Sequence, residues 1–271
     1  MKILALETSA KSVSVAVTEE GRILGSAYQN VGLTHSHTLM PLLDAMLKNS
    51  GLTLADMGLI AVAAGPGSFT GLRIGVSAAK GLAWAQDLPC CGVSTLEAMA
   101  QNVRHMDGCT VICAMDARRQ QVYNALFCAE RGCLTRLTPD RAIALEELAA
   151  EIKNDENEKI IVGDGAQLCY TYLSEQGIPC RMAPPSLVMQ HAVGVAQTAG
   201  EMAARGETVS AHELVPVYLR LSQAERERLA KGLKITLEGV ENLYMRRTRL
   251  RAIRYPPCTS WTIPWYSTSC R

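Results

Sequence analysis

The segment richest in usable chemistry is Gly65-Pro66-Gly67-Ser68-Phe69-Thr70-Gly71-Leu72-Arg73-Ile74-Gly75. It follows the apolar run 59–64. It therefore reads as a strand, a sharp turn permitted by Gly65 and Gly67, and a helix capped by Ser68 or Thr70. The free amides at such a helix start suit a phosphate. A second candidate, Glu7-Thr8-Ser9, ends the first strand ahead of the turn Ser9-Ala10-Lys11, which carries a hydroxyl but no glycine. Thr8, Ser9, Gly67 and Ser68 are thus the phosphate-loop candidates, against the simpler reading of a hairpin turn and a helix cap. Further along the helix, Gly71, Gly75 and Ala79 form a flat stripe. Such a stripe serves internal packing on a sheet or the docking of another protein's helix.

Other reactive residue types lack partners at useful spacing. His35 and His37 are two residues apart, which points their rings to different helix faces and makes a poor metal pair. His105, His191 and His212 stand alone. Ser68 is not in a G-x-S-x-G elbow, since Phe69 and Thr70 follow it. The ten cysteines are scattered, without a CxxC pair or Cys/His ligand spacing, and read as free thiols in a reducing cytoplasm. Met40, Met46, Met99 and Met106 read as core or interface filler.

The elements that must position these residues repeat. Runs at 3–6, 12–17 and 22–28 read as an antiparallel meander, followed by a helix over 35–49 with Leu39, Leu42, Leu43, Met46 and Leu47 at helical spacing. Then come the strand 59–64, the glycine turn, a helix to about 85, and the strand 90–93. A capping box follows, with Ser94 accepting from the first turn and Glu97 reaching back. Strands at 111–115, 121–128 and 133–137, a helix over 145–152, the strand 159–162, the turn Gly163-Asp164-Gly165 and a helix over 166–175 repeat the order. A helix over 190–204 and a short one opened by Ser222 and Glu225 complete it. This predicts an α/β fold of two related lobes, 1–105 and 106–231, with 232–271 as a basic tail of different character.

Charge follows the same division. Residues 1–231 carry 20 Lys+Arg against 24 Asp+Glu, whereas 232–271 carry 7 against 2. An acidic body without a Lys/Arg cluster in the sequence is a poor holder of nucleic acid, and the tail MRRTRLRAIRY alone suits an anionic surface. No apolar run approaches the roughly 18 residues of a membrane helix, and MKILALETS reads as a first strand rather than a signal peptide.

Several segments together resemble the TsaB (YeaZ) family: ILALETSAKSVSVAV, HSHTLMPLLDAML, AAGPGSFTGLRIGVSAAKGLAWA, GVSTLEAMAQ and PVYLR. The likeness is dense over 1–125 and thinner to about 225. It implies an actin-like, ribonuclease H-like (ASKHA) fold of two lobes with mixed sheets, in which Glu7-Thr8-Ser9 stands at the first phosphate loop. It also implies a part in making threonylcarbamoyladenosine (t6A) at position 37 of tRNAs that read codons beginning with A. The related catalytic family, TsaD, holds a metal with paired histidines in a pattern like GVNHxxGH. Here Gly92–Met99 places Thr95 and Met99 at those positions, and a hydroxyl and a thioether do not replace two imidazoles. The resemblance therefore implies a non-catalytic cytoplasmic subunit without cofactor of its own. It would pair with a TsaD-like subunit and a TsaE-like ATPase, which bring ATP and a metal, would reach tRNA through that assembly, and would form a homodimer when alone. The docking face expected on this basis comprises Leu39, Met40, Leu43, Gly71, Leu72, Gly75, Val76 and Ala79. The competing class is an enzyme, either an actin-fold nucleotide hydrolase or a metallopeptidase-like protein. The resemblance further offers the tail as a frame-shifted or fusion remnant of an adjoining acetyltransferase gene, or as disordered chain.

Overall fold

The computed structural model describes residues 1–220, which form one compact unit. The expected tail from 232 and the helix opened by Ser222 lie outside the described residues. The chain opens with β1 (Lys2–Glu7), β2 (Val13–Glu19) and β3 (Arg22–Gln29), an antiparallel meander. There follow α1 (His35–Asn49), β4 (Leu59–Gly65), α2 (Phe69–Gln86), β5 (Cys90–Ser94) and α3 (Thr95–Ala100). These strands form a mixed sheet in the order β3-β2-β1-β4-β5, with β4 parallel to β1 and β5 parallel to β4.

The second half contributes β6 (Cys109–Asp116), β7 (Gln121–Glu130), β8 (Cys133–Arg136), β9 (Arg141–Ala144) and α4 (Leu145–Ile152). It continues with β10 (Glu158–Val162), α5 (Ala166–Glu175), β11 (Arg181–Met182) and α6 (Ala192–Ala204). Its sheet runs β8-β7-β6-β10-β11, with β9 added to β7. Leaving β9 aside, both sheets have the order third, second, first, fourth, fifth strand within their own half. An antiparallel hairpin on one side and parallel crossovers on the other, used twice, is the actin-like α/β architecture.

β1 is apolar without alternation because helices cover both of its faces. Leu4 and Leu6 pack with Leu39, Leu43 and Met46 of α1 and Val76 and Ala79 of α2. Ile3 and Ala5 point the other way, onto Ala192, Val195, Ala196 and Ala199 of α6. The second sheet is covered in the same manner, by Leu96, Met99 and Ala100 of α3 on one face and by α4 and α5 on the other. α3 and α6 also pack on each other, so they form the middle layer between the sheets. The division expected at 105 falls between the sheets, but α6 crosses back from the second half to cover the first. A cut there would strip β1 of one face.

Three further expectations are corrected. The strand β9 has no counterpart in the sequence pattern, because four residues opening with Arg141 carry no strand signal and are held only by pairing to β7. The helix expected from 190 starts at Ala192, since Gln190 and His191 precede it in non-helical conformation. Only half of the capping box forms. Ser94 Oγ accepts from Glu97 N at 3.2 Å, but the Glu97 carboxylate leaves for Arg136, 2.6 Å away. The eight described cysteines are free thiols, five of them buried.

Arg136 joins α3 to the β8–β9 region. It bonds Glu97 and Asp140, each at 2.6 Å, and lies 4.6 Å from the centre of the Phe127 ring, while Asp140 also accepts from Ser94 Oγ at 2.6 Å. Removing the cation leaves two largely buried carboxylates facing each other. Arg136→Ala should therefore lose about 3 kcal/mol in urea denaturation at pH 7.

Candidate functional site

The end of β1 carries side chains to both faces of the first sheet. Thr8 continues the even series toward α2, and its Oγ1 donates to the Gly71 carbonyl at 2.8 Å. A Cβ on Gly71 would collide with the Thr8 carbonyl oxygen, and one on Gly75 with Thr8 Oγ1. The next turn of chain is bound as closely. Ser68 N donates to the Ser9 carbonyl at 2.7 Å, and Ser68 Oγ caps α2 by accepting from Gly71 N at 3.4 Å. The four phosphate-loop candidates, Thr8, Ser9, Gly67 and Ser68, are thus brought together. Their backbone groups clamp one turn onto the other, and a helix-start amide that a phosphate would use is spent on Ser9.

Glu7 belongs to the odd series and faces the middle layer. It is fully buried, and its Oε1 accepts from Ser9 N at 2.6 Å. Its Oε2 has no partner among the described residues, nor has Ser9 Oγ. Burial, followed by the nearby charge of Asp164, pushes the Glu7 carboxyl up from 4.5 to about 7, against the pull of the hydrogen bond from the Ser9 amide. Asp164, in the turn before α5, is itself raised by burial while Gln190 Nε2 donates to it at 2.9 Å. Sequence reading missed this meeting of Glu7, Asp164 and Gln190. The one local signal was an acid closing an apolar strand.

Two of the histidines are tied into the fold. His35 is bonded through Nε2 to the Ala10 carbonyl at 2.7 Å, while His37 is exposed. His191 stacks on Tyr28 at 5.1 Å, and burial lowers its pKa. Thr95 and Met99 are both fully buried, Met99 within the apolar cluster against the second sheet. Among the described residues no three His, Cys, Asp or Glu side chains are grouped to hold a metal. The donors at 95 and 99 do not fit one.

The expected docking residues divide sharply. Leu39, Leu43, Gly71, Leu72, Gly75, Val76 and Ala79 are buried in the chain's own core, so the flat stripe is an inner face. Only Met40 is exposed, at 46%. The outer faces of the same helices carry Met40, Pro41 and Ala45 on α1 and Arg73, Ser77, Gly81 and Trp84 on α2. Trp84 is 75% exposed. Its spacing of three or four residues from that polar and small series was the signal in the sequence.

The family described as "TsaD: tRNA N6-adenosine threonylcarbamoyltransferase" matches residues 29–228. The chain is 34% identical over 228 residues to the tRNA threonylcarbamoyladenosine biosynthesis protein TsaB of Bacillus subtilis, covering 83% of this chain and 96% of that one. Against the protein of the same name from Escherichia coli, identity is 33% over 222 residues, covering 81% and 95%. The chain belongs to the TsaB family. Among solved structures, YeaZ from Pseudomonas aeruginosa superposes with a TM-score of 0.69 at 32% identity, covering 80% of this chain and 99% of that one.

Within this TsaB-family fold two outcomes follow. Gly75→Leu should give insoluble or grossly destabilised chain rather than a folded monomer, which expression and thermal melting would reveal. Glu7 gives a pH signature. Between about pH 4.5 and 7 the folded chain keeps a proton that the unfolded chain has lost, so this group's contribution to stability falls as pH rises through that window. Urea denaturation of Glu7→Gln should show a gain over wild type that is small near pH 4.5 and grows to about 3 kcal/mol by pH 8.

Proposed function

We propose that this chain is the non-catalytic subunit of a cytoplasmic assembly that makes t6A at position 37 of tRNAs reading codons that begin with A. It supports a TsaD-like catalytic subunit, and a TsaE-like ATPase joins them. The observation that carries this reading is the match to TsaB proteins along most of both chains. The burial of Thr95 and Met99 supports a role without metal chemistry on this chain, with the metal and ATP held by its partners. The surface offered to the TsaD-like subunit is the outer face of α1 with the C-terminal half of α2, where Met40 and Trp84 stand exposed on adjacent helices. This leaves Arg73, at the start of α2, outside it. Tryptophan is enriched among the few residues that carry most of an interface's binding energy. The same face would pair two copies when the chain is alone.

Co-expression with the TsaD-like subunit and measurement of t6A in tRNA test this directly. Trp84→Glu and Met40→Glu should leave the melting temperature nearly unchanged, as surface substitutions do, while weakening co-purification by about 30-fold or more and lowering t6A in step. Robust ATP turnover by the purified chain alone, lost in Thr8→Ala, would instead establish the hydrolase.

A further inference from the structure

Residues 1–220 are acidic, with 17 Lys+Arg against 22 Asp+Glu, yet four arginines gather at one place. Arg73, in the first turns of α2, lies 5.8 Å from the Phe69 ring and 5.9 Å from that of Tyr218, and those two rings stack at 4.2 Å. Its Nε donates to the Tyr218 hydroxyl at 3.1 Å. Two residues on, Arg220 donates to the Ala117 carbonyl at 2.6 Å, which brings this segment to the β6–β7 turn. Exposed Arg118 and Arg119 occupy that turn, both at positive φ, with Asp116 Oδ1 accepting from Arg118 N at 2.7 Å. Elsewhere among the described residues Arg104, Arg131, Arg136, Arg141, Arg181 and Arg205 each pair with a carboxylate, and only Arg22, by itself at the start of β3, does not. Among the described residues, none of the four gathered arginines does.

Guanidinium groups left without carboxylates are the chemistry that meets the phosphates of nucleic acid, and a stacked aromatic pair fixes one of them in place. The four come from three segments, 73, 118–119 and 220, that only the fold brings together. We propose that this arginine and aromatic rim is a direct contact for RNA. Arg118, Arg119 and Arg220 meet backbone phosphates, and Phe69 and Tyr218 hold Arg73 in place beside them. The choice of RNA over another polyanion rests on the reading that the chain works in tRNA modification.

The test measures binding of an unmodified tRNA transcript to the full chain alone and to its complex with the TsaD-like subunit, as a function of salt. Arg118→Glu/Arg119→Glu should weaken binding about tenfold or more and flatten the slope of log K against log salt by about two, one for each phosphate that no longer meets an arginine. Co-purification with the partner should persist. Arg22→Glu/Arg131→Glu, the same charge change at the exposed first residue of β3 and at another exposed turn, should stay close to wild type. Wild-type affinity in the first variant overturns the proposal, and so does an equal loss in the control, which would mean a general charge effect. Loss of the partner with unchanged tRNA affinity of the chain alone also overturns it, and assigns the rim to a protein. A wild-type complex that binds tRNA through this rim but forms no t6A would refute the proposed function and leave the RNA contact standing.

Discussion

Thr8 lies so close to α2 that no side chain fits between them, and much of the molecule is arranged around that approach. Its hydroxyl bonds the Gly71 carbonyl, and the absence of side chains at 71 and 75 lets the helix rest directly on the end of β1. With α2 set down there, its N-terminus closes on the Ser9 carbonyl. The preceding turn then leaves Gly65 at φ +136, a backbone conformation open to glycine, with the Val217 backbone against it. Val217 N donates to Ala64 O at 2.7 Å, and this bond lays 214–220 across the end of the sheet. Tyr218 and Arg220 owe their positions to it. One close packing contact thus propagates to the rim at the β6–β7 turn.

Each sheet is covered on both faces, and the middle layer of α3 and α6 is shared between them. A carboxyl placed there, Glu7, keeps its proton to about pH 7 because the ionised form has lost its water. A second acid, Asp164, comes toward it from the other half, with the Gln190 side-chain amide donating to it. Thr95 and Met99 of α3 add a buried hydroxyl and a thioether to the same layer. Such a centre joins the halves. What remains for interaction are the outer faces of α1 and α2 and the loops at the sheet ends.

Much of this was legible in the sequence. The bounds of α1, α4 and α5 agree with those read from periodicity, because each helix buries one stripe and ends where the stripe ends. The elements that were missed, β9 and β11, are short and exist through pairing rather than pattern. The capping box at Ser94 was half right for a similar reason. A local motif offered Glu97 a backbone amide, but Arg136, distant in sequence, offered a buried counter-charge and a stronger bond. The Gly71/Gly75/Ala79 stripe was legible as a close-packing face, and its direction was not. Small residues record that something comes near, and the neighbour proved to be the chain's own β1.

The sequence by itself determined the family, the repeated order of elements, the covered sheets and the chemical types present at each turn. Those are properties of local pattern and of likeness along the chain, which need no neighbours. The tertiary structure decided which side of each helix faces in, that α6 returns to the first sheet, and that Glu7 meets Asp164. It also decided that residues 1–220, acidic in sum, carry a cationic rim. Net charge sums over all residues, whereas a phosphate meets only those within a few ångströms. Arginines at 73, 118, 119 and 220 become one surface only when folding sets their segments side by side.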